Sequence, residues 1–294
     1  MDKELIYNIL SKYNFNKFQK EEIEFGLEKG LDVSWYAKPE FQFLQMYELR
    51  LGIEKGLDVS LYAKPEFTWE QMVQIRLGLE NKIDVSSYAK PEYSPLKMKE
   101  IRDGIEKNLD GSWYANPEFT SEQMKQIKKG LENDVDVSIY AKFEFNSSQM
   151  AQIRYGLQKN FNVSIYSRPE FDWQQMEKIL WALEDKLNEE DILKYSDPIY
   201  TSSKMFEIFE GLKNGIDVTW YANPEFTWEQ MEEIRFCLEK GIDVSFCPNP
   251  EFNYFQIKQI ILGLENGIDV TPYLNPSINN EEMERIRLEL ERAK

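Results

Sequence analysis

The residues of this chain that could do chemistry are two evenly spaced series, one of aspartates and one of methionines, and two cysteines. The aspartates recur as Asp32, Asp58, Asp84, Asp110, Asp136, Asp217, Asp243 and Asp269. Carboxylates in a row could bind divalent cations, and thioethers could bind a soft metal. The chain has no histidine, which removes the commonest general base, the histidine-containing triads and the usual zinc ligands.

Each series also has a structural explanation that needs no ligand. The aspartates precede V-S-x-Y, where aspartate suits the N-cap of a short helical turn. Nine of the ten methionines, from Met46 to Met283, keep one register of an amphipathic helix, as core residues do. Cys237 and Cys247 replace glycine and tyrosine of other units, which is typical of small buried side chains. We therefore predict a non-enzymatic protein without cofactor or metal; a carboxylate-only enzyme or a Ca²⁺ or Mg²⁺ site stays open as the alternative.

These residues belong to copies of one 26-residue unit. Its anchoring aromatic is Tyr36, Tyr62, Tyr88, Tyr114, Tyr140, Tyr166, Tyr195, Tyr221 and Tyr273, with Cys247 in the tenth place. The spacing is 26 residues except for 29 between Tyr166 and Tyr195, and we place the three extra residues at Asn188–Glu190. Repeats of this length indicate a stacked architecture.

Each unit contains one long helix. Thr68 and Gln71 form a capping box, and a glycine such as Gly56 suits the helix end. Met72, Ile75 and Leu79 form the predicted core stripe. One helix and a short turn can bury this stripe only by stacking, so the sequence predicts an all-α fold, an α-solenoid of about ten to eleven units.

Glycine stands inside the long helix in eight units, where it costs roughly 1 kcal/mol relative to alanine. A neighbouring side chain is therefore predicted to fill the space of the missing Cβ. Our hypothesis for that neighbour is the bulky flank of the next helix, which carries Arg76, Trp69 and their equivalents.

The organisation along the chain is predicted from the repeats and the charge. Residues 1–14 form an N-terminal helical cap, 15–187 a near-neutral repeat block, 188–190 an insertion, and 191–294 a strongly acidic block ending in a polar capping helix. Residues 171–294 hold 25 acidic and 12 basic residues, a net charge of −13, against −4 for residues 1–170. This balance disfavours direct nucleic-acid binding and favours a partner with a basic surface.

The variable face of the long helices is where a partner would bind, because the rest of the unit is uniform. Its positions are the eighth and the fifteenth after the anchoring tyrosine, and several hold large apolar residues. The candidate partner-binding residues are Leu44, Leu51, Leu77, Tyr155, Trp181, Phe236, Phe255 and Leu262, with the glutamates Glu207, Glu210, Glu229, Glu232 and Glu233. Alternatively, a second layer or a homodimer partner covers this face. The residue before the anchoring tyrosine also varies, as in Trp35, Leu61, Ser87 and Trp113.

The string G-L-E-x-G-[L/I]-D-V-S-x-Y-A-x-P-E-F, as in Gly26–Phe41, resembles 26-residue tandem-repeat proteins of Gram-positive bacteria and their mobile elements. The resemblance covers nearly the whole chain and implies a setting in which proteins counter host defence. It carries over no catalytic residues.

The function predicted from the sequence is protein binding. The sharper form is an acidic, nucleic-acid-mimicking inhibitor of a defence nuclease, of the anti-CRISPR or anti-restriction type. The alternative is a peptide-binding or self-assembling scaffold whose acidity serves solubility only. No run of about 18 apolar residues occurs and the start lacks a signal-peptide core, so a cytoplasmic location is expected.

Overall fold

The computed structural model describes residues 11, 13–245 and 249–294, and within these residues the chain forms helices and turns without a strand. The α-helices are α1 Lys17–Glu28, α2 Phe43–Glu54, α3 Trp69–Glu80, α4 Pro95–Glu106, α5 Ser121–Leu131, α6 Ser147–Gln158, α7 Trp173–Glu184, α8 Glu189–Tyr195, α9 Ser202–Lys213, α10 Trp228–Glu239, α11 Tyr254–Glu265 and α12 Asn280–Ala293. Short 3₁₀ turns lie at Val33–Trp35, Val59–Leu61, Gly111–Trp113, Val137–Ile139, Val163–Ile165, Val218–Trp220 and Thr271–Tyr273.

The helices stack in chain order within two compact units, residues 1–150 and 151–294. In the first unit each of α1 to α4 packs on the next long helix. In the second unit the packed pairs are α7 with α9, α9 with α10, α10 with α11, and α11 with α12. This confirms the predicted all-α solenoid. The predicted N-terminal cap over residues 1–14 falls largely outside the described residues.

The predicted helix starts are confirmed, and they also join neighbouring repeats. Thr68 Oγ1 accepts a hydrogen bond from the Gln71 backbone N–H at 3.3 Å, and Gln71 Oε1 accepts one from the Thr68 N–H at 2.7 Å. Gln71 Nε2 then donates to the carbonyl of Tyr93 in the next repeat at 2.6 Å. One glutamine therefore caps its own helix and satisfies a buried carbonyl of its neighbour.

The aspartate series caps the short turns, as predicted. Asp58 Oδ1 accepts from the Ser60 backbone N–H at 3.0 Å, and Asp217 accepts in the same way from Thr219. These hydrogen bonds, from side chain and backbone of Thr219, lower the pKa of Asp217. Among the described residues, no three Asp, Glu or Cys side chains are arranged as ligands of a metal ion would be.

The core differs from the predicted stripe at one position. Met72 and Ile75 are fully buried, but Leu79 is half-buried. Arg76, which the sequence places on the opposite flank, is 9% exposed and lies between neighbouring helices. The buried stripe is therefore wider than predicted, because the interface with the next repeat takes in the charged flank.

The mid-helix glycines fit the tyrosine of their own repeat. A Cβ on Gly78 would lie 1.9 Å from Tyr88 Oη, which donates a hydrogen bond to the Gln74 carbonyl at 3.3 Å. All eight of these glycines stand ten residues before an anchoring tyrosine. The predicted neighbour was therefore wrong. The flank of the next helix is only the third-nearest contact, and only in two repeats, as with Lys128 Cδ at 3.1 Å from a Cβ on Gly104.

Among the residues that the structure describes, five helix ends use a non-glycine residue in the left-handed conformation. They include Lys82, Asp134 and Lys186, with φ of 60°, 53° and 59°. An L-residue pays roughly 1–2 kcal/mol for this conformation, which glycine adopts freely. We expect Lys186→Gly to raise the free energy of unfolding by about 1 kcal/mol, measured by urea denaturation. Gly215→Ala, at an equivalent position with φ of 71°, is the matched control and should lower it.

The insertion replaces the short 3₁₀ turn with helix α8. Asn188 accepts a hydrogen bond from the Glu190 N–H at 2.8 Å, and Glu189, Glu190 and Asp191 occupy the first helical turn. Acidic residues are favourable there because they face the positive end of the helix dipole. Since α7 still packs directly on α9, the extra residues leave the stack of long helices continuous.

Candidate partner-binding face

Neighbouring long helices are joined by a buried row of polar pairs, here called the inner ladder. Its ion pairs are Arg50 to Glu22 at 2.7 Å, Arg76 to Glu48 at 2.7 Å, Lys128 to Glu100 at 2.6 Å and Arg235 to Glu207 at 2.9 Å. Arg102 and Arg287 donate instead to the amide oxygens of Gln74 and Gln259. The Arg235 and Glu207 side chains are only 8% and 3% exposed, so these groups belong to the framework.

A second row, the rim ladder, runs along the helix ends. A lysine or asparagine just after one helix pairs with the last glutamate of the next. The rim ladder comprises Lys29–Glu54, Lys55–Glu80, Asn81–Glu106, Lys107–Glu132, Asn214–Glu239, Lys240–Glu265 and Asn266–Glu291. Such exposed pairs each contribute little to stability. In every pair, however, the lysine or asparagine follows the earlier helix and the glutamate belongs to the later one, so the row favours one order of neighbouring helices.

Both ladders change at the packing of α7 on α9. Lys178 holds the position of the inner-ladder glutamate, and Phe209 holds that of the arginine. The rim pair is reversed, with Asp185 before the junction and Lys213 after it, at 2.8 Å. At the junctions of the rim ladder an aspartate in the place of Asp185 would face a glutamate, so the reversed pair matches α7 to α9 in particular.

This change opens a groove of about 290 Å³ between α7 and α9, the α7–α9 groove. Its lining includes Trp181, Phe206, Phe209, Glu184, Asp185, Glu210, Lys178 and Lys213. Lys178 Nζ lies 3.3 Å from the centre of the Trp181 ring, and its nearest carboxylate is Glu177 at 3.4 Å. Glu184 accepts a hydrogen bond from Tyr155 Oη at 2.7 Å.

The predicted apolar candidates separate into two groups. Tyr155, Trp181, Phe236 and Phe255 are exposed, at 37, 44, 41 and 61%. All four lie in the second unit. Leu44, Leu51, Leu77 and Leu262 are half-buried. The exposed aromatic candidates therefore all lie in residues 151–294, as does Phe206 at 37% exposed, which the sequence prediction missed. Exposed aromatic side chains outside the predicted set occur in the first unit as well, among them Phe18, Phe25 and Phe143.

The predicted glutamates also differ in accessibility. Glu229 and Glu232 are half-buried and make no ion pair with a described residue, and Glu210 has only Lys213, at 3.9 Å. Glu233 pairs with Lys258 at 3.7 Å. Glu207 is a correction: it is 2% exposed and bound by Arg235, because its position faces the next helix. Burial raises the pKa of Glu207 despite the hydrogen bond from Arg235.

The sequence does contain a signal for the α7–α9 groove, whose lining residues Phe209 and Lys178 were not among the predicted candidates. Phe209 stands where most repeats have arginine, and Lys178 where they have glutamate or glutamine. A departure at a framework position is therefore as informative as variation at a surface position. Cys237, by contrast, is buried, and burial raises the pKa of its thiol to about 12, which keeps it protonated. Cys247 lies outside the described residues.

The fold and this face define an all-α repeat protein of the solenoid class. The chain matches no protein-family model, no curated protein and no solved structure. Within the part of the chain that the structure describes, every helix is too short or too polar to cross a membrane.

Proposed function

We propose that this chain is a non-enzymatic binding protein whose outer face in residues 151–294 binds a protein with a basic surface. The observation that supports this most is the exposure of Tyr155, Trp181 and Phe236 in the same unit as Glu229 and Glu232, which no lysine or arginine of the described chain neutralises. Exposed aromatic side chains are frequent anchors of protein interfaces. Unpaired carboxylates speed the approach of a basic partner.

The α7–α9 groove is proposed to hold an arginine side chain of that partner. A guanidinium can lie against the Phe206 or Trp181 ring and pair with Glu184 or Glu210. The charged lining, three carboxylates against Lys178 and Lys213, is net negative. Both features favour a cationic side chain over an apolar one.

The sharper form of the proposal is that the partner is a nucleic-acid-binding defence enzyme and that the acidic block takes the place of nucleic acid. Residues 171–294 carry a net charge of −13. Five long helices stacked at roughly 9–10 Å span about 45–50 Å. This gives about one net negative charge per 3.5–4 Å, close to the charge density of a single nucleic-acid strand. A cytoplasmic location would follow from such a partner.

The proposal is tested by affinity capture from an extract of the native host, with washes at low and then at moderate salt. The test variant carries Glu210→Lys, Glu229→Lys and Glu232→Lys. The matched control carries Glu40→Lys, Glu66→Lys and Glu118→Lys, three exposed glutamates of the first unit without ion pairs. Both variants change the net charge equally, so the control separates the effect of total charge from that of charge reversal in residues 151–294.

We expect a basic protein that is released by moderate salt, lost by the test variant and kept by the control variant. If that protein binds nucleic acid, the wild-type chain should also compete with nucleic acid for it. A partner that withstands salt and binds both variants equally would contradict the proposal and favour the scaffold alternative.

A further inference from the structure

Helices α1 and α2 of the first unit carry four exposed aromatic side chains. Phe18 and Phe25 lie on α1 and are 57 and 43% exposed. Phe43 and Tyr47 lie on α2 and are 38 and 37% exposed. We call these four residues the α1–α2 aromatic patch. Rings of this size are favoured when they leave water, so an uncovered cluster of them indicates an interface.

The four rings form one continuous surface. The centroids of the Phe18 and Phe43 rings are 5.4 Å apart, so this pair joins α1 to α2. Phe43 and Tyr47 are four residues apart on one helix, which makes them neighbours. Arg50 Cζ lies 5.1 Å from the centre of the Tyr47 ring and 4.5 Å from that of the Phe25 ring, so its guanidinium bridges these two.

The charged groups beside the rings are paired within the chain. These pairs are Arg50–Glu22 at 2.7 Å, Arg50–Glu54, Lys29–Glu54 at 3.0 Å and Lys17–Glu21 at 3.7 Å. Arg50 is held by two carboxylates, and its side chain is only 6% exposed. The patch therefore offers aromatic contact to a partner rather than a charge that the partner would have to match.

The area of the patch suits one protein–protein interface. An aromatic side chain covers about 200 Å², so four that are 37–57% exposed present roughly 350 Å² of surface. A standard interface buries about 800 Å² on each partner, of which roughly 450–500 Å² is apolar. The half-buried Leu44 and Leu51 of α2 supply part of the difference. The patch is thus close to the apolar part of the interface that a stable dimer needs.

The charge of the chain favours a second copy as the occupant of this patch. In a two-fold dimer a patch meets its own copy, so an unpaired charge in it would face a like charge. The first unit, residues 1–150, holds 26 acidic and 20 basic residues, a net charge of −6, whereas residues 151–294 carry the remaining −11. Repulsion between two copies is therefore weaker at the first unit than at the acidic face.

We propose that the chain forms a two-fold homodimer in which the α1–α2 aromatic patches of two copies pack against each other. The rings form the centre of the interface, and Arg50 keeps its partners within its own chain. The dimer carries two acidic faces, one on each copy. This interface uses none of the residues of the acidic face and stands or falls separately from it.

The test is sedimentation equilibrium of the purified full-length protein at concentrations up to about 100 μM, a range that detects a micromolar Kd. We expect a reversible monomer–dimer equilibrium. Raising the salt from about 50 to 200 mM should leave the dimer unchanged or strengthen it, because salt screens the repulsion between two acidic copies. Binding of a basic partner to the acidic face should respond in the opposite direction.

The variant Phe18→Ser/Phe43→Ser should weaken the dimer at least about tenfold, because central aromatic residues dominate interface energies. The matched control is Trp113→Ser/Phe143→Ser, which removes two rings of the first unit that are 39 and 47% exposed but lie outside the patch. The control should dimerise like the wild type. The single variant Phe18→Ser, at the most exposed of the four rings, should weaken the dimer in the same direction without disturbing the fold.

Three results would overturn the proposal. The first is a monomer at every concentration, and the second is a dimer that the patch variants leave intact or that the control weakens equally. The third is a dimer that added salt dissociates, since that would show that charge pairing rather than aromatic contact holds the copies together.

Discussion

Replacing Gly211 with alanine should lower the free energy of unfolding by about 2 kcal/mol, although alanine is the better helix former by about 1 kcal/mol. The added Cβ would lie 1.9 Å from Tyr221 Oη and 2.9 Å from a Val218 methyl group. Tyr221 is fully buried and donates a hydrogen bond to the Glu207 carbonyl at 3.0 Å. The tyrosine must move, and a buried hydroxyl then loses its acceptor.

A double-mutant cycle with Tyr221→Phe isolates this clash, with unfolding measured in urea. In the phenylalanine background the nearest ring carbon is at the position of Tyr221 Cζ, 3.2 Å from the new Cβ. The same glycine substitution should then cost less than half as much, since the 1.9 Å contact is removed and the remaining contacts, 2.9 Å to Val218 and 3.2 Å to the ring, need only small shifts. Equal costs in both backgrounds would show that the tyrosine hydroxyl is not the reason for the glycine.

The second large effect is expected at the inner ladder. Arg235→Leu leaves the Glu207 carboxylate buried without its partner, which should cost about 3–5 kcal/mol. The double variant Glu207→Gln/Arg235→Leu reproduces the residues that Gln152 and Leu180 place at the corresponding positions of this chain. It should recover to within about 1 kcal/mol of the wild type, because no charge is left buried.

The pH dependence of the single variant supplies an independent check. Burial already raises the pKa of Glu207, and removing Arg235 should raise it further. A carboxyl with a raised pKa in the folded state is destabilising only once the pH exceeds its unfolded value of about 4.3. The deficit of Arg235→Leu should therefore be small below about pH 4 and grow as the pH rises towards 7. A deficit that does not vary with pH would show that lost packing, not the buried charge, is responsible.

The local structure could be read from the sequence because it depends on neighbours along the chain. The capping box at Thr68, the glycine end at Gly56 and the Asp58 cap each involve residues within a few positions of one another. Twenty-six-residue periodicity then leaves stacking as the only way to bury the methionine stripe.

The packing of side chains within and between repeats could be predicted only in part. The sequence indicates that something fills the space beside Gly78, but not that it is Tyr88, since that requires the path of the short turn. The sequence did contain a signal for this contact, because every mid-helix glycine is followed ten residues later by a tyrosine. Glu207 was wrongly placed on the outer face because its helical position lies at the border between the solvent-facing side and the side that packs on the next helix.

The candidate face could be predicted where exposure follows from helical position, as for Trp181 and Phe236. It could not be predicted where two helices meet, as for Phe206 and Lys178 in the α7–α9 groove, because their proximity depends on how α8 accommodates the insertion. Departures from the repeat at Lys178 and Phe209 mark this groove.

The most direct test of the central claim is the salt dependence of binding between the captured partner and the purified chain, measured by calorimetry. Wild-type protein, Trp181→Ala and the triple variant of Glu210, Glu229 and Glu232 would be compared at about 50 and 200 mM salt, where screening differs strongly. We expect the wild-type Kd to weaken at least about tenfold with salt, Trp181→Ala to weaken binding at both salts, and the triple variant to lose the salt dependence. A Kd that neither salt nor these substitutions change would contradict the claim that this acidic aromatic face binds the partner.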